Sequence, residues 1–270
     1  MSVTTLHSVK ISNKFINCKE IKVTSRSGTF AYKENRLGDT QALIVETSSE
    51  VFKPTSTTNL LLKTVRQNVR GTINSALDLG CGCGIIAVAL AKLVMPEAAV
   101  CASDISAKAV QLATHNAKSH QLSIDCRTGS MFAPWAEQKF DLIVNDVAAM
   151  AEPVARLSRW YPPHIASAAG DDGSRWTVDI LSRASEFLEN QGQLFFPVLT
   201  LSNEHKILEM ANAQFANVEL LAEEWYPLGS YLLPHLEFLL ELRSSGKISI
   251  IKRDSRWCWA TKIYRATNDK

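Results

Sequence analysis

A chain of 270 residues, 46% apolar and 21% charged, has enough length for one large domain or one domain with an extension, and the makeup of an ordinary globular protein. Its net charge of +2 is too small to imply a polyanionic partner or an anionic membrane, and no apolar run approaches the ~20 residues that a membrane span requires. Six cysteines without a regular framework fit a reducing compartment, and no basic segment leads into an apolar one across Met1–His7, so no secretion signal is expected and a cytoplasmic location is.

Residues 10–52 read as short strands, Glu20–Val23, Thr29–Tyr32 and Ala42–Val45, punctuated by turns at Gly28, Asn35 and Gly38. They suggest a small β-rich module over residues 1–52, ahead of a main domain over residues 53–270. Pro54 favours an extended approach to a helix that starts from a Thr or Asn cap near Asn59. From Ser75 the pattern alternates. Strands are predicted at 75–79, 99–103, 122–126, 140–145 and 193–199, and helices at 85–94, 106–119, 150–158 and 175–189. Gly192 is read as the glycine that closes the last of these helices. This alternation predicts an α/β protein with a doubly wound, mostly parallel sheet. Beyond Pro197, a helix at 203–213, a strand at 217–222, a helix at 231–243 and a hairpin pairing Lys247–Ile251 with Trp257–Ile263 extend and cap that sheet.

The segment Leu77-Asp78-Leu79-Gly80-Cys81-Gly82-Cys83-Gly84 ends an apolar strand in three alternating glycines, and a helix-forming run follows at once. Such a turn is expected to bring bare backbone N–H groups and a helix N-terminus to a ligand. Val100–Asp104 reads as a second strand that ends in an acid, 20 residues past the last glycine. Strand, turn, helix and strand-end acid make a nucleotide-type site. The spacing is G-x-G-x-G rather than the G-x-G-x-x-G of NAD sites, and Asp78 stands two residues before the first glycine. A carboxylate there repels a pyrophosphate and suits a cationic amino-acid cofactor, S-adenosylmethionine. Cys81 and Cys83 form a C-x-C pair with no second close pair, so no metal is expected.

With Ala102-Ser103-Asp104-Ile105-Ser106, Ala109, Asn116-Ala117 and Phe140-Asp141-Leu142-Ile143-Val144, the glycine segment resembles the class I S-adenosylmethionine-dependent methyltransferases, over about residues 50 to 200. The resemblance implies a Rossmann-like, seven-stranded sheet and S-adenosylmethionine as cofactor. It implies that Gly80, Gly82 and Gly84, with Cys81 among them, pack against the methionine part, and that Asp78 sits near its amino group. Asp104, with Ile105 beside it, would accept from the ribose hydroxyls. Ser130 or Met131, in Thr128-Gly129-Ser130-Met131-Phe132, would meet the adenine, Ser130 standing where the family often has an acid. Taken singly, Asp78 and Asp104 read equally as caps or surface acids, and Met131 and Phe132 as core.

Three segments are similar, more narrowly, to the HemK-type protein-glutamine N-methyltransferases. Val51-Phe52-Lys53-Pro54-Thr55-Ser56-Thr57-Thr58 resembles their V-L-x-P-R-P-E-T-E segment at Val51, Pro54 and Thr58; Phe140–Val144 resembles the strand before their N-P-P-Y signature; and Ala169-Gly170-Asp171-Asp172-Gly173, with Val178, Ile180 and Leu181, resembles their G-G-x-D-G segment and helix. The signature itself is replaced by Asn145-Asp146-Val147-Ala148-Ala149, with Asp146 at the Asn position. Without the prolines and the aromatic, a flat acceptor such as glutamine, adenine or cytosine loses its shape match and its stack. Asp146 becomes the candidate to orient an N–H or to take a proton from an O–H, help worth ~10²–10⁴-fold for a general base. Asn145 is the alternative for that role and a further cofactor candidate, and a helix cap is the structural reading of Asp146. Phe52, Pro54, Thr58, Trp160, Tyr161 and Asp172 are candidate acceptor contacts, with Trp135, Trp225 and Tyr226 as further aromatic walls and His164 as a second base. Core packing for the aromatics, a solvated loop for His164 and a plain turn at Asp171–Gly173 stand beside these readings. The expected activity is methyl transfer from S-adenosylmethionine to a nitrogen or oxygen of a small molecule or of a peptide or protein. An RNA acceptor and a cofactor-binding protein without catalysis are the alternatives; no basic stripe interleaved with aromatics favours nucleic acid.

Overall fold

The computed structural model describes residues 28–32, 42–158 and 169–268. The strand expected at Glu20–Val23 and the turns at Asn35 and Gly38 lie outside the described residues. In chain order the elements are β1 (Thr29–Tyr32), β2 (Leu43–Glu46), α1 (Ser56–Asn68), β3 (Ser75–Leu79), α2 (Ile85–Ala89), β4 (Ala99–Asp104), α3 (Ala107–Ser119), β5 (Ile124–Thr128), β6 (Phe140–Asn145), α4 (Glu152–Leu157), α5 (Arg175–Ala184), β7 (Leu188–Leu199), α6 (Glu204–Gln214), β8 (Asn217–Pro227), α7 (Leu236–Ser244), β9 (Ile251–Arg253) and β10 (Arg256–Thr267). The main sheet runs β5-β4-β3-β6-β7-β10-β8, with β9 pairing the start of β10. Strands β3 to β7 are parallel, and β10 is antiparallel to both β7 and β8.

The helices cover both faces, as a doubly wound sheet requires. One core sheet face packs on α1, α2 and α3 through Leu61, Val65, Ile86, Val88 and Ala113; the other packs on α5 and α6 through Ile180, Leu181, Ile207 and Ala211. A third cluster joins Met150 and Val154 to Leu239 and Leu242 at the end of the sheet where α7 sits. β1 and β2 pair antiparallel, from Thr29↔Glu46 to Tyr32↔Leu43, and bury Tyr32, Leu43 and Val45 in the first of these cores. Asn116 fastens this pair to α3: its Oδ1 accepts from Glu46 N at 2.8 Å, and its Nδ2 donates to Glu46 O and Cys83 O.

Of the boundaries that depart from the sequence-based expectation, three have a clear local reason. β5 begins two residues late, because Leu122 closes α3: its N–H donates to Ala117 O while Gln121 turns left-handed at φ +59°, a Schellman ending. The helix expected over 175–189 stops at Ala184, and β7 begins at Leu188. Gly192 therefore closes no helix. Opposite Phe140 and Leu142, β7 advances from Leu188 to Gln193, so exposed Glu189, Asn190 and Gln191 loop out of the strand. Gly192 lies flat against this bulge, where a Cβ would come within 2.9 Å of Phe140 O. The closing hairpin is short on its first side: Ile248 and Ile250 are buried before β9 begins, and Asp254 and Ser255 make the two-residue left-handed turn.

Candidate active site at the carboxyl edge of the sheet

Strands β3, β4 and β6 lie side by side and end together, which brings Asp78, Asp104 and Asp146 to one edge. Gly84, at φ +79°, opens α2; a Cβ there would sit 2.9 Å from Ala113 Cα, so α3 can approach only a glycine. Gly84 has no side chain with which to cap α2, and Asp78 does it from within β3: Asp78 Oδ2 accepts from Ala87 N at 3.0 Å. Asp78 is fully buried, and its other oxygen, Oδ1, has no partner. Burial raises its carboxyl to about 8, the Ala87 bond lowers it, and repulsion from Asp146 and Asp104 adds to the rise.

The glycine turn does not hold out bare N–H groups as its sequence suggests. Gly80 N and Cys81 N both donate to Ser103 O, Gly84 N to Cys81 O, and Gly82 N to Asp104 Oδ2 at 3.0 Å. Asp104 Oδ1 takes Ser106 N at 2.8 Å. The turn is braced against β4 instead, and its surroundings are acidic. Two of the four lone-pair positions on the Asp104 carboxylate remain for hydroxyl donors. Ile105, beside it, is 73% exposed. Cys81 and Cys83 are buried thiols, both raised by burial first, and no group of three metal-ligating side chains occurs among the described residues.

After β5, Gly129 N donates to Asp104 O, which sets the loop that follows beside Asp104. Ser130 is exposed, and Met131 is held at φ +49°, an uncommon conformation for a side chain of its size. Phe132 is core, stacked on Phe187 at 4.3 Å.

At the end of β6, Asn145 is buried, and its Oδ1 accepts from Val147 N at 3.1 Å, shaping the turn. Asp146 N donates to Leu79 O, and Asp146 Oδ2 accepts from Thr58 Oγ1 at 2.7 Å. Thr58 belongs to the capping box of α1: Thr57 N donates to Thr55 Oγ1, and Thr55 N to Thr58 Oγ1. Burial raises the Asp146 carboxyl to about 6, against the lowering by Thr58. The strand-to-helix strap Val51–Pro54 crosses the glycine turn, with Phe52 O 3.5 Å from where a Gly82 Cβ would stand. Phe52, Pro54 and Thr58 are thus gathered with Asp78, Asp104 and Asp146.

Other candidates sit elsewhere or in other roles. Asp172 is committed to structure: it accepts from Ser174 N and Oγ, from Asn203 Nδ2 and from Lys206 Nζ. Burial would raise its carboxyl, but the Ser174 bonds and Lys206 hold it below the usual range. Trp135 is interior, its Nε1 donating to Ser103 Oγ at 3.0 Å, and so is not a pocket wall. Tyr226 is half-buried on β8, its hydroxyl donating to Glu224 and its ring 4.9 Å from that of Trp259. Trp259 went unnoticed in the sequence because only the β8–β10 pairing brings it there. Trp160, Tyr161 and His164 lie outside the described residues.

The sheet order is that of the class I, Rossmann-like methyltransferase fold. The structure of the T. thermophilus 16S rRNA N2 G1207 methyltransferase, RsmC, in complex with AdoMet and guanosine matches 90% of this chain and 51% of its own with a TM-score of 0.55 at 18% identity. A precorrin-6y C5,15-methyltransferase from Geobacter metallireducens matches 83% and 93% with a TM-score of 0.50 at 12% identity. Residues 42–147 match the family model described as Methyltransferase small domain. Among curated relatives, the release factor glutamine methyltransferase of Geobacter sulfurreducens is 38% identical over 124 residues, 44% of this chain and 43% of that protein. The release factor glutamine methyltransferase of Streptococcus pneumoniae is 31% identical over 164 residues, 59% and 58%. The ribosomal RNA small subunit methyltransferase C of Mannheimia succiniciproducens is 37% identical over 118 residues, 43% and 33%. The chain thus spans about half the length of these glutamine methyltransferase relatives. No helix among the described residues is long and apolar enough to cross a membrane.

Proposed function

We propose that this chain transfers a methyl group from S-adenosylmethionine to a nitrogen or oxygen of an acceptor, on a peptide or protein or on a small molecule. The observation that carries this reading is Asp78 Oδ1: a buried, unpartnered carboxyl oxygen beside a turn whose N–H groups are mostly committed to β4. Such a place rejects a pyrophosphate and asks for a cationic donor. The residues fit the cofactor. Asp78 would hold its ammonium, Asp104 its ribose hydroxyls, and Ile105, Ser130 and Met131 would border its adenine. Cys81 and the three glycines would line its methionine part. When bound, the cofactor supplies an electrophilic methyl group on a sulfonium.

Asp146 and Asn145 would then stand where the acceptor arrives, with Phe52, Pro54 and Thr58 closing the strap above it. A water-poor corner that fixes the acceptor in line supplies most of the acceleration in a displacement of this kind. The names of the glutamine methyltransferase relatives support a protein acceptor. The rRNA methyltransferase relative supports RNA, but the three acids repel phosphate. Cysteines without a framework fit work in the cytoplasm.

The test is thermal denaturation with ligands. Saturation at 100 times the dissociation constant should add ~2.7 kcal/mol for S-adenosylmethionine or S-adenosylhomocysteine, and nothing for NADH. A shift with NADH and none with the two adenosyl compounds would overturn the reading.

A further inference from the structure

Resting on this reading of the site, we infer that the acceptor is an amine that enters as an ammonium ion, with Asp146 as its partner and then its base. Several acids elsewhere pair with cations: Glu50 with Lys108, Asp125 with Arg127, Asp171 with Lys247, Glu204 with Lys262 and Glu219 with Arg265. The three acids gathered at the carboxyl edge do not. Among the described residues, Asp78 and Asp104 take only backbone N–H groups and Asp146 only the Thr58 hydroxyl.

A charge count then separates the acceptor classes. The cofactor brings an ammonium and a sulfonium against its own carboxylate, a net single positive charge. Its ammonium would answer Asp78, and Asp104 would face neutral hydroxyls. The sulfonium would be left near Asp146, and its charge would disappear in the reaction. An amide or an alcohol brings no cation to replace it, and a phosphate-bearing acceptor adds repulsion. An ammonium supplies the missing charge and leaves a methylated ammonium in the same place.

Thr58 orients the base. Its hydroxyl accepts from Thr55 N at 3.2 Å, so its single proton points to Asp146 Oδ2 at 2.7 Å. That oxygen is held as an acceptor, which leaves the other oxygen to take the acceptor's proton. In the reaction, Asp146 removes one proton from the ammonium. The freed nitrogen pair forms the N–CH3 bond as the C–S bond breaks, and the C–S electrons stay on sulfur as a thioether. Asp146 then returns its proton to solvent.

The experiment uses the full chain, S-adenosylmethionine and three short peptides: one with a free α-amine, one N-acetylated with a lysine, and one N-acetylated with a glutamine and no amine. Methyl incorporation is read by mass spectrometry, and cofactor affinity by calorimetry. An amine peptide should be methylated with kcat/KM at least about 100-fold above the glutamine peptide. Asp146→Asn should lower that value by about 100-fold or more while changing the S-adenosylmethionine dissociation constant by no more than about threefold, the signature of a lost base. Preference for the glutamine peptide, no transfer to either amine, or an undiminished Asp146→Asn overturns the inference while cofactor binding leaves the methyl-transfer reading standing. So does an Asp146→Asn variant that weakens S-adenosylmethionine but not S-adenosylhomocysteine, since Asp146 would then only answer the sulfonium. Absence of any cofactor binding by the wild type overturns both.

Discussion

The two carboxyl oxygens of Asp78 divide a structural bond from a proposed ligand contact. Oδ2 caps α2 and holds the glycine turn in shape, while Oδ1 is buried without a donor. With its carboxyl raised to about 8 against an ordinary value of 3.8, the folded state keeps a proton that the unfolded chain has lost. Its contribution to stability is therefore present below about pH 4 and fades as pH rises toward 8; Asp104 and Asp146, the acids facing it, push in the same direction. Unliganded wild type should lose melting temperature across this range more steeply than Asp78→Asn. The same proton must leave when a cofactor ammonium binds. S-adenosylmethionine affinity should rise with pH and peak near 8, where the ligand's own α-amine begins to lose its charge. Asp78→Asn should weaken binding by about 10–100-fold, as expected for a lost charge-assisted bond. Calorimetry in buffers of different ionisation enthalpy counts the proton released, and a count of zero at pH 7 would contradict this account. Of the two readings that the sequence leaves open for Asp78, the cap is visible at Oδ2, and the ligand contact proposed for Oδ1 is what the calorimetry tests.

At the scale of elements, legibility depended on whether the signal was local. The strand–turn–helix around Gly80–Gly84, the caps at Ser106 and Asn203 and the alternation from Ser75 onward are all written within a few residues, and those elements lie where the pattern puts them. The end of α5 is different. Phe187 and Leu188 continue its apolar stripe, but Phe140 N bonds Phe187 O, a partner 47 positions away in the chain, and β7 begins at Leu188. The Gln121 turn was also illegible, since Gln carries no left-handed preference. That mismatch can be measured. At φ +59°, glycine would occupy the position without strain, so Gln121→Gly should stabilise the protein by about 0.5–1 kcal/mol in urea denaturation. A loss of stability would mean that the Gln121 side chain does more than close α3. Among the candidate residues, the carboxyl-edge acids were visible as strand ends, whereas the Asp172 bonds to Asn203 and Lys206, which take it away from the site, come from pairings across distant segments.

Across the molecule, several surface acids are paired with Lys or Arg, whereas among the described residues the acids where the three parallel strands end meet only neutral donors. The unliganded state bears that cost. Asp146 is raised to about 6 by burial, so at pH 7 it is ionised against its surroundings, with Thr58 as its hydrogen-bond donor. Asparagine has the same shape and can still accept from Thr58 Oγ1 through its carbonyl oxygen. Asp146→Asn should therefore raise the stability of the unliganded protein by about 1–2 kcal/mol at pH 7. The gain should be full above pH 6, fade as pH falls toward 4, and vanish only below the unfolded value of 3.8, where the wild-type carboxyl is protonated in folded and unfolded chains alike. It should exceed that of a control such as Asp125→Asn, whose carboxylate lies in an exposed pair with Arg127 and is worth little either way. Chemical denaturation of both variants at pH 4 and pH 7 checks this. Equal stabilities for wild type and Asp146→Asn at pH 7 would show that solvent, rather than an incoming cation, already answers the charge at the end of β6.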